Sequence, residues 1–149
     1  MKAAIIDFNR TLRNPETNDY IPNTRELLQT LKDKGLKLAL VSFKENYAER
    51  LKLIIPLTSF FDIVKIVDEK TSLVFKEIIT DFNATTTETL VIGDKISDEI
   101  KIGNLLGMTT IRLKSGKYAE EEPQNENEKP TYSFSNLEQI RIFLNNKLL

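Results

Sequence analysis

Apolar residues fall in short runs rich in Val, Ile and Leu, and between the runs they recur at three- and four-residue spacing among polar positions. The runs suit strands buried on both faces, and the spaced segments suit amphipathic helices. Their alternation predicts successive βα units and a mainly parallel, five-stranded sheet with helices on both faces, an α/β class. The strands are placed at Lys2 to Asp7 (KAAIID), Leu36 to Ser42, Phe61 to Val67, Glu88 to Asp94 and Met108 to Leu113.

The helices mark their own ends. Asn23 stands as a cap with Glu26 three places on, Leu27, Leu28 and Leu31 form an apolar stripe, and Gly35 supplies a left-handed stop. Further helices are predicted over Asn46 to Ile55, ended by Pro56, then Ser72 to Asp81, and Ser97 to Leu106, closed by Gly107. A last one spans Ser135 to Leu149, with Leu137, Ile140 and Leu144 on one side. Asn-Pro and Asn-Asp turn residues between Leu12 and Ile21 predict a small hairpin flap directly after the first strand. Tyr118 to Tyr132 is polar, acidic at its start and broken by Pro123 and Pro130, which suits a mobile surface loop.

At 149 residues the chain has the length of a single domain, expected over 1–149. Its net charge of -1 comes from 21 basic and 22 acidic residues mixed along the sequence, so no nucleic-acid face is evident. The N-terminal apolar run is too short for a signal peptide, and nothing approaches the roughly 20 apolar residues of a membrane span. A cytoplasmic protein is expected, consistent with the absence of cysteine. Histidine is absent as well, which excludes imidazole-based triads and His-ligated zinc. Any hydrolysis must use carboxylates, hydroxyls, lysines or a hard metal held by oxygen.

In open parallel sheets, ligands bind beyond the C-terminal ends of the strands. Those ends carry Asp7, Ser42 and the pair Gly93-Asp94, and Lys70 follows the third strand. Taken singly, each has a plainer reading: a turn residue, a helix cap or a solvated lysine. In "GDKISD", Gly93 permits a tight turn, and Asp94 and Asp98 stand four apart across a loop-to-helix junction. One edge of the sheet thus collects two carboxylates, a hydroxyl and an ammonium, and their joint occurrence in this order favours a functional reading.

In that order the residues resemble the haloacid dehalogenase-like (HAD) hydrolases, most of which are Mg-dependent phosphatases. "IIDFNRTL" is similar to the first motif, hydrophobic-Asp-x-Asp-x-Thr, with Thr11 in place and Asn9 at the second aspartate. "ALVS" matches the second motif, Lys70 the third with Lys76 as the alternative, and "VIGDKISD" the fourth. The resemblance implies a three-layer, Rossmann-like fold. It further implies that Asp7 is the nucleophile, that Asp7, Asp94 and the backbone carbonyl of Asn9 hold Mg²⁺, and that Ser42, Phe43 and Lys70 hold the phosphate. Thr11, Gly93 and Asp98 would support them, Asp98 by orienting Lys70 or a metal-bound water.

The family's second aspartate protonates the leaving group and later deprotonates water, and an amide can do neither near neutral pH. Three readings therefore stand open: a slow Mg-dependent phosphatase, an enzyme with a long-lived aspartyl phosphate, or a degenerate phosphate- or metal-binding module. The stretches from Asp7 to Ser42 and from Ser42 to Lys70 are too short for a cap domain, so an open site is expected. Such a site would accept a phosphorylated substrate or be closed by a second copy in a homo-oligomer. Arg13 and Tyr20 of the flap are candidates for substrate contact. The scattered glycines form no phosphate loop, and no aspartate ends the third strand as a receiver domain would require.

Overall fold

Strand β1 (Ala3–Asp7) is buried along its length in the computed structural model, which describes residues 1–44 and 47–148. It pairs in parallel with β4 (Lys37–Phe43) on one side and β6 (Thr89–Gly93) on the other. Outside these lie β5 (Ile63–Val67), β7 (Thr109–Leu113) and β8 (Tyr132–Phe134), completing a parallel sheet in the order β5-β4-β1-β6-β7-β8. The chain moves from β1 outward to β4 and later back to β6 on the opposite side. Asp7 thus ends its strand where the direction of winding reverses, the point at which such sheets open a crevice.

Period-two alternation along β1 divides the core. Ala4, Ile6 and Phe8 meet Leu27, Leu28 and Leu31 of α1 (Thr24–Asp33) and Leu137 and Ile140 of α5 (Leu137–Phe143). Ala3 and Ile5 meet Phe75, Ile78 and Ile79 of α3 (Ser72–Asp81) on the other face. Each fully buried Leu or Ile contributes about 2 kcal/mol, so both faces hold β1 in place. The flap forms as β2 (Arg13–Asn14) against antiparallel β3 (Asp19–Tyr20), and α2 covers Tyr47–Ile54. The expected starts and ends at Asn46 and Leu149 lie outside the described residues. Among the described residues no cap domain is present, and no helix is long and apolar enough to cross a membrane.

Four expectations change. The sheet has six strands because β8 emerges from the segment expected to be a loop: Thr131 exchanges hydrogen bonds with Thr110, and Tyr132 and Phe134 stack on Phe143 at 4.6 and 5.1 Å. Arg112, buried on β7, donates to the carbonyls of Tyr118 and Glu121 at 2.8 and 3.0 Å, and Asn104 donates to those of Asn127 and Lys129. Most of the segment is therefore tied down. Asn23 adopts a left-handed conformation (φ 70°) and makes no side-chain cap; the Thr24 hydroxyl bonds the carbonyl of Ile21 instead. The helix expected from Ser97 is split into a turn at Ile96–Ile100 and α4 (Lys101–Leu105), with Asp98 at non-helical φ -123°, ψ -108°.

Candidate active site

The broken helix after β6 is explained by Glu99. This side chain, 2 % exposed, folds back so that Oε1 accepts from the backbone N–H groups of Asp94 and Lys95 at 3.0 and 3.1 Å. Its other oxygen lies 3.4 Å from Nζ of Lys70. Lys70 is buried too and pairs with Oδ1 of Asp7, while Oδ2 of Asp7 accepts from the Thr11 hydroxyl at 3.1 Å. The same hydroxyl stands 3.5 Å from Oδ1 of Asp94. β1, β5 and β6 thus deliver Asp7, Lys70 and Asp94 to one point, and Thr11 and Glu99 tie them together.

The charges respond to this crowding. Burial, then the carboxylates of Asp7 and Glu99, push Asp94 up to about 9. Burial raises Glu99 to about 7, with Lys70 opposing and Asp7 and Asp98 adding to it. Burial alone would lower Lys70, but Asp7 and Glu99 outweigh it and hold the ammonium above its ordinary value. One lysine does not neutralise so many acids.

A hard divalent cation would. Asp7, Asp94 and Glu99 each bring a carboxylate oxygen within 4.8 Å of the others, and Oδ2 of Asp94 is buried without a hydrogen-bond partner. Such an oxygen-only donor set with one orphaned oxygen fits Mg²⁺. The group opens on a cleft of about 250 Å³, lined also by Asn9, Arg10, Phe43, Arg50, Asp98 and Tyr118.

Lys70, not Lys76, is the lysine in this cleft; Lys76 is exposed on α3. Ser42 departs from expectation: its buried hydroxyl accepts from Arg50 at 3.3 Å and does not line the cleft, because Arg50 reaches over it to the carbonyl of Phe43. Phe43 does line the cleft, its ring 4.9 Å from Nζ of Lys70. Asp98 is half-buried at the cleft wall and acts on Lys70 through its charge, whereas the hydrogen-bonding position belongs to Glu99. Gly93 does not serve a left-handed turn; a Cβ there would fall 2.2 Å from Cγ and Oε1 of Glu99, so its role is to leave room.

The flap residues also differ from expectation. Nη1 of Arg13 donates to Oδ1 of Asn9 at 3.0 Å and its Nε donates to Asn18, which makes Arg13 a brace behind the cleft. Tyr20 donates to the carbonyl of Leu53 at 2.6 Å and does not line the cleft. Sequence reasoning missed Glu99, Arg10, Arg50 and Tyr118. Asp98 and Glu99 are adjacent acids, and the break at Asp98 decides which one turns inward. Arg10 and Tyr118 lie outside the main helices and strands, and Arg50 is a single polar position on α2, so none of them carries a periodic signal.

The C-terminal half, residues 70–140, matches the HAD-hydrolase-like family model. A glyceraldehyde 3-phosphate phosphatase of Methanocaldococcus jannaschii is 31% identical over 126 residues, covering 80% of this chain and 54% of that protein. The chain spans about half the length of the curated relatives it matches. Among solved structures, a HAD phosphatase from Thermococcus onnurineus superposes over 100% of both chains with TM-score 0.77 at 17% identity. A D,D-heptose 1,7-bisphosphate phosphatase from B. bronchiseptica, complexed with magnesium and phosphate, covers 99% of both with TM-score 0.78 at 13% identity. This sheet, this winding, that family match over residues 70–140 and the phosphatase relatives together support membership of the haloacid dehalogenase-like (HAD) superfamily.

Proposed function

We propose that the protein is a Mg²⁺-dependent phosphatase acting through a phosphorylated Asp7, slowed by the amide at position 9. The observation that carries this reading is the Asp7 carboxylate, held between Lys70 and Thr11 beside the orphaned oxygen of Asp94. The phosphatase names of the sequence relatives support it.

Asp7, Asp94 and the backbone carbonyl of Asn9 would hold the cation, with Glu99 fixing the Asp94 backbone. Bound there, Mg²⁺ supplies the positive charge that lets a phosphate dianion approach a carboxylate. Asp7 forms the new P–O bond as the ester P–O bond breaks, and water later releases phosphate from the aspartyl ester. Lys70 offsets charge on the transferring oxygens. Asn9 can donate a hydrogen bond to the leaving oxygen but cannot give it a proton, so good leaving groups are favoured. The same residue supports a second reading, a phosphate- or metal-binding module without turnover.

Phosphate release from p-nitrophenyl phosphate with and without Mg²⁺, run beside Asp7→Asn, separates the two. Metal-dependent turnover that disappears in Asp7→Asn is expected. Equal rates in the two proteins reject the enzyme.

A further inference from the structure

The mouth of the cleft carries cations that the chemistry above does not use. Arg10, Lys95 and Lys117 surround the ring of Tyr118, with charged groups 5.7, 4.9 and 5.5 Å from its centroid. Three like charges gathered around one ring repel one another, so their gathering calls for an anion.

Arg10 is built in rather than loosely placed. It is a non-glycine residue at φ 61°, a left-handed conformation that costs about 1 kcal/mol or more. Its Nε is buried and without a hydrogen-bond partner, and its Nη2 pairs with Glu16, which is 64% exposed and easily displaced. Tyr118 in turn is fixed through its carbonyl by buried Arg112. Arg10 also separates two spaces. It lines the 250 Å³ cleft with Asp7 and Asp94, and a second cavity of about 210 Å³ with Lys117, Asn14 and Ile21.

Resting on the phosphatase reading, we propose that the substrate is a phosphate monoester bearing a second anionic group, a phosphate or carboxylate, which Arg10 and Lys117 hold beyond Tyr118. The scissile phosphate sits at Asp7, and the body of the substrate passes the Arg10–Tyr118 wall toward the second cavity. The acids at the base of the cleft meet the cation; the basic rim meets the distal anion.

The test is equilibrium binding to the Asp7→Asn protein with Mg²⁺, measured calorimetrically for two matched pairs: fructose 1,6-bisphosphate against fructose 6-phosphate, and 3-phosphoglycerate against glycerol 3-phosphate. The doubly anionic member of at least one pair is expected to bind about tenfold tighter or more, the size of one charge-assisted hydrogen bond. Adding Arg10→Asn, which tolerates the left-handed backbone, or Lys117→Gln should each reduce that preference at least threefold. Equal binding within both pairs, or a preference untouched by both substitutions, overturns the proposal. Absence of aryl phosphate turnover in the unaltered protein would instead reject the phosphatase reading, and the binding preference would then stand or fall on these titrations alone.

Discussion

Arg13 holds Asn9 by its side-chain oxygen across 3.0 Å, and since a guanidinium only donates, the amide nitrogen is the end left to face the cleft. On the phosphatase reading, the residue at the proton-transfer position is therefore fixed as a hydrogen-bond donor that cannot act as an acid or base. Asn9→Asp restores a titratable oxygen, and the gain should be larger for alkyl phosphates, which need a protonated leaving group, than for aryl ones. General acid-base help is worth about 10² to 10⁴ in rate. Arg13 favours the ionised carboxylate, so the gain on alkyl phosphates is expected near the lower end. Steady-state rates on both substrate types check it; equal gains would place Asn9 outside proton transfer.

Glu99, itself buried, faces two backbone donors and one buried ammonium. Glu99→Gln can keep the first contact but turns an N–H₂ toward Lys70, leaving that charge with Asp7 alone. Removing one member of a buried ion pair costs about 3 kcal/mol, which urea unfolding would resolve. A change below 0.5 kcal/mol, on the scale of ordinary surface substitutions, would mean that Lys70 does not depend on Glu99.

The contrast between Lys70 and Glu99 shows what was legible beforehand. Lys70, Asp7 and Asp94 follow strands, and a strand in a parallel sheet announces itself by its apolar run, so its end and the side chain there can be located from sequence. Glu99 lies beyond a break in regular structure, where periodicity no longer reports orientation. β8 was hidden for a different reason: three residues at a sheet edge, Tyr132 to Phe134, are too few for alternation to register, and their pairing depends on Thr110 and Phe143 far along or across the chain. Ser42 was located correctly at its strand end, but nothing local reveals that Arg50 covers it.

Gly93 offers a direct probe of the crowding around Glu99. A methyl group added there meets Cγ and Oε1 at 2.2 Å, and the carboxylate must leave the N–H groups of Asp94 and Lys95 to make way. Gly93→Ala should lose about 1 to 3 kcal/mol, the usual cost of overpacking, and weaken Mg²⁺ binding together with stability. The backbone angle at Gly93 is not the obstacle, so a second change, Glu99→Ala, should recover part of the stability lost. Calorimetric Mg²⁺ titration and thermal unfolding of the single and double variants distinguish this from a conformational role, in which the second change would bring no recovery.

The raised acids give metal binding a definite pH dependence. Asp94 moves from 3.8 to about 9 and Glu99 from 4.5 to about 7, so in the folded protein without metal both favour the protonated form. Their contribution to stability is complete below the unfolded values near 4 and is lost as pH rises through 7 and 9. On the reading proposed above, Mg²⁺ would compete with the Asp94 proton for the same oxygens and would be favoured by the charge of ionised Glu99 beside it. Without metal, the melting temperature should therefore fall from pH 5.5 to pH 8.5, whereas the increase produced by a fixed Mg²⁺ concentration should grow over the same range. Asp94→Asn removes the larger of the two titrations and should flatten both trends. A metal-induced increase that is constant with pH, or greatest at pH 5.5, would show that the ion does not displace protons from Asp94 and Glu99 and so binds elsewhere.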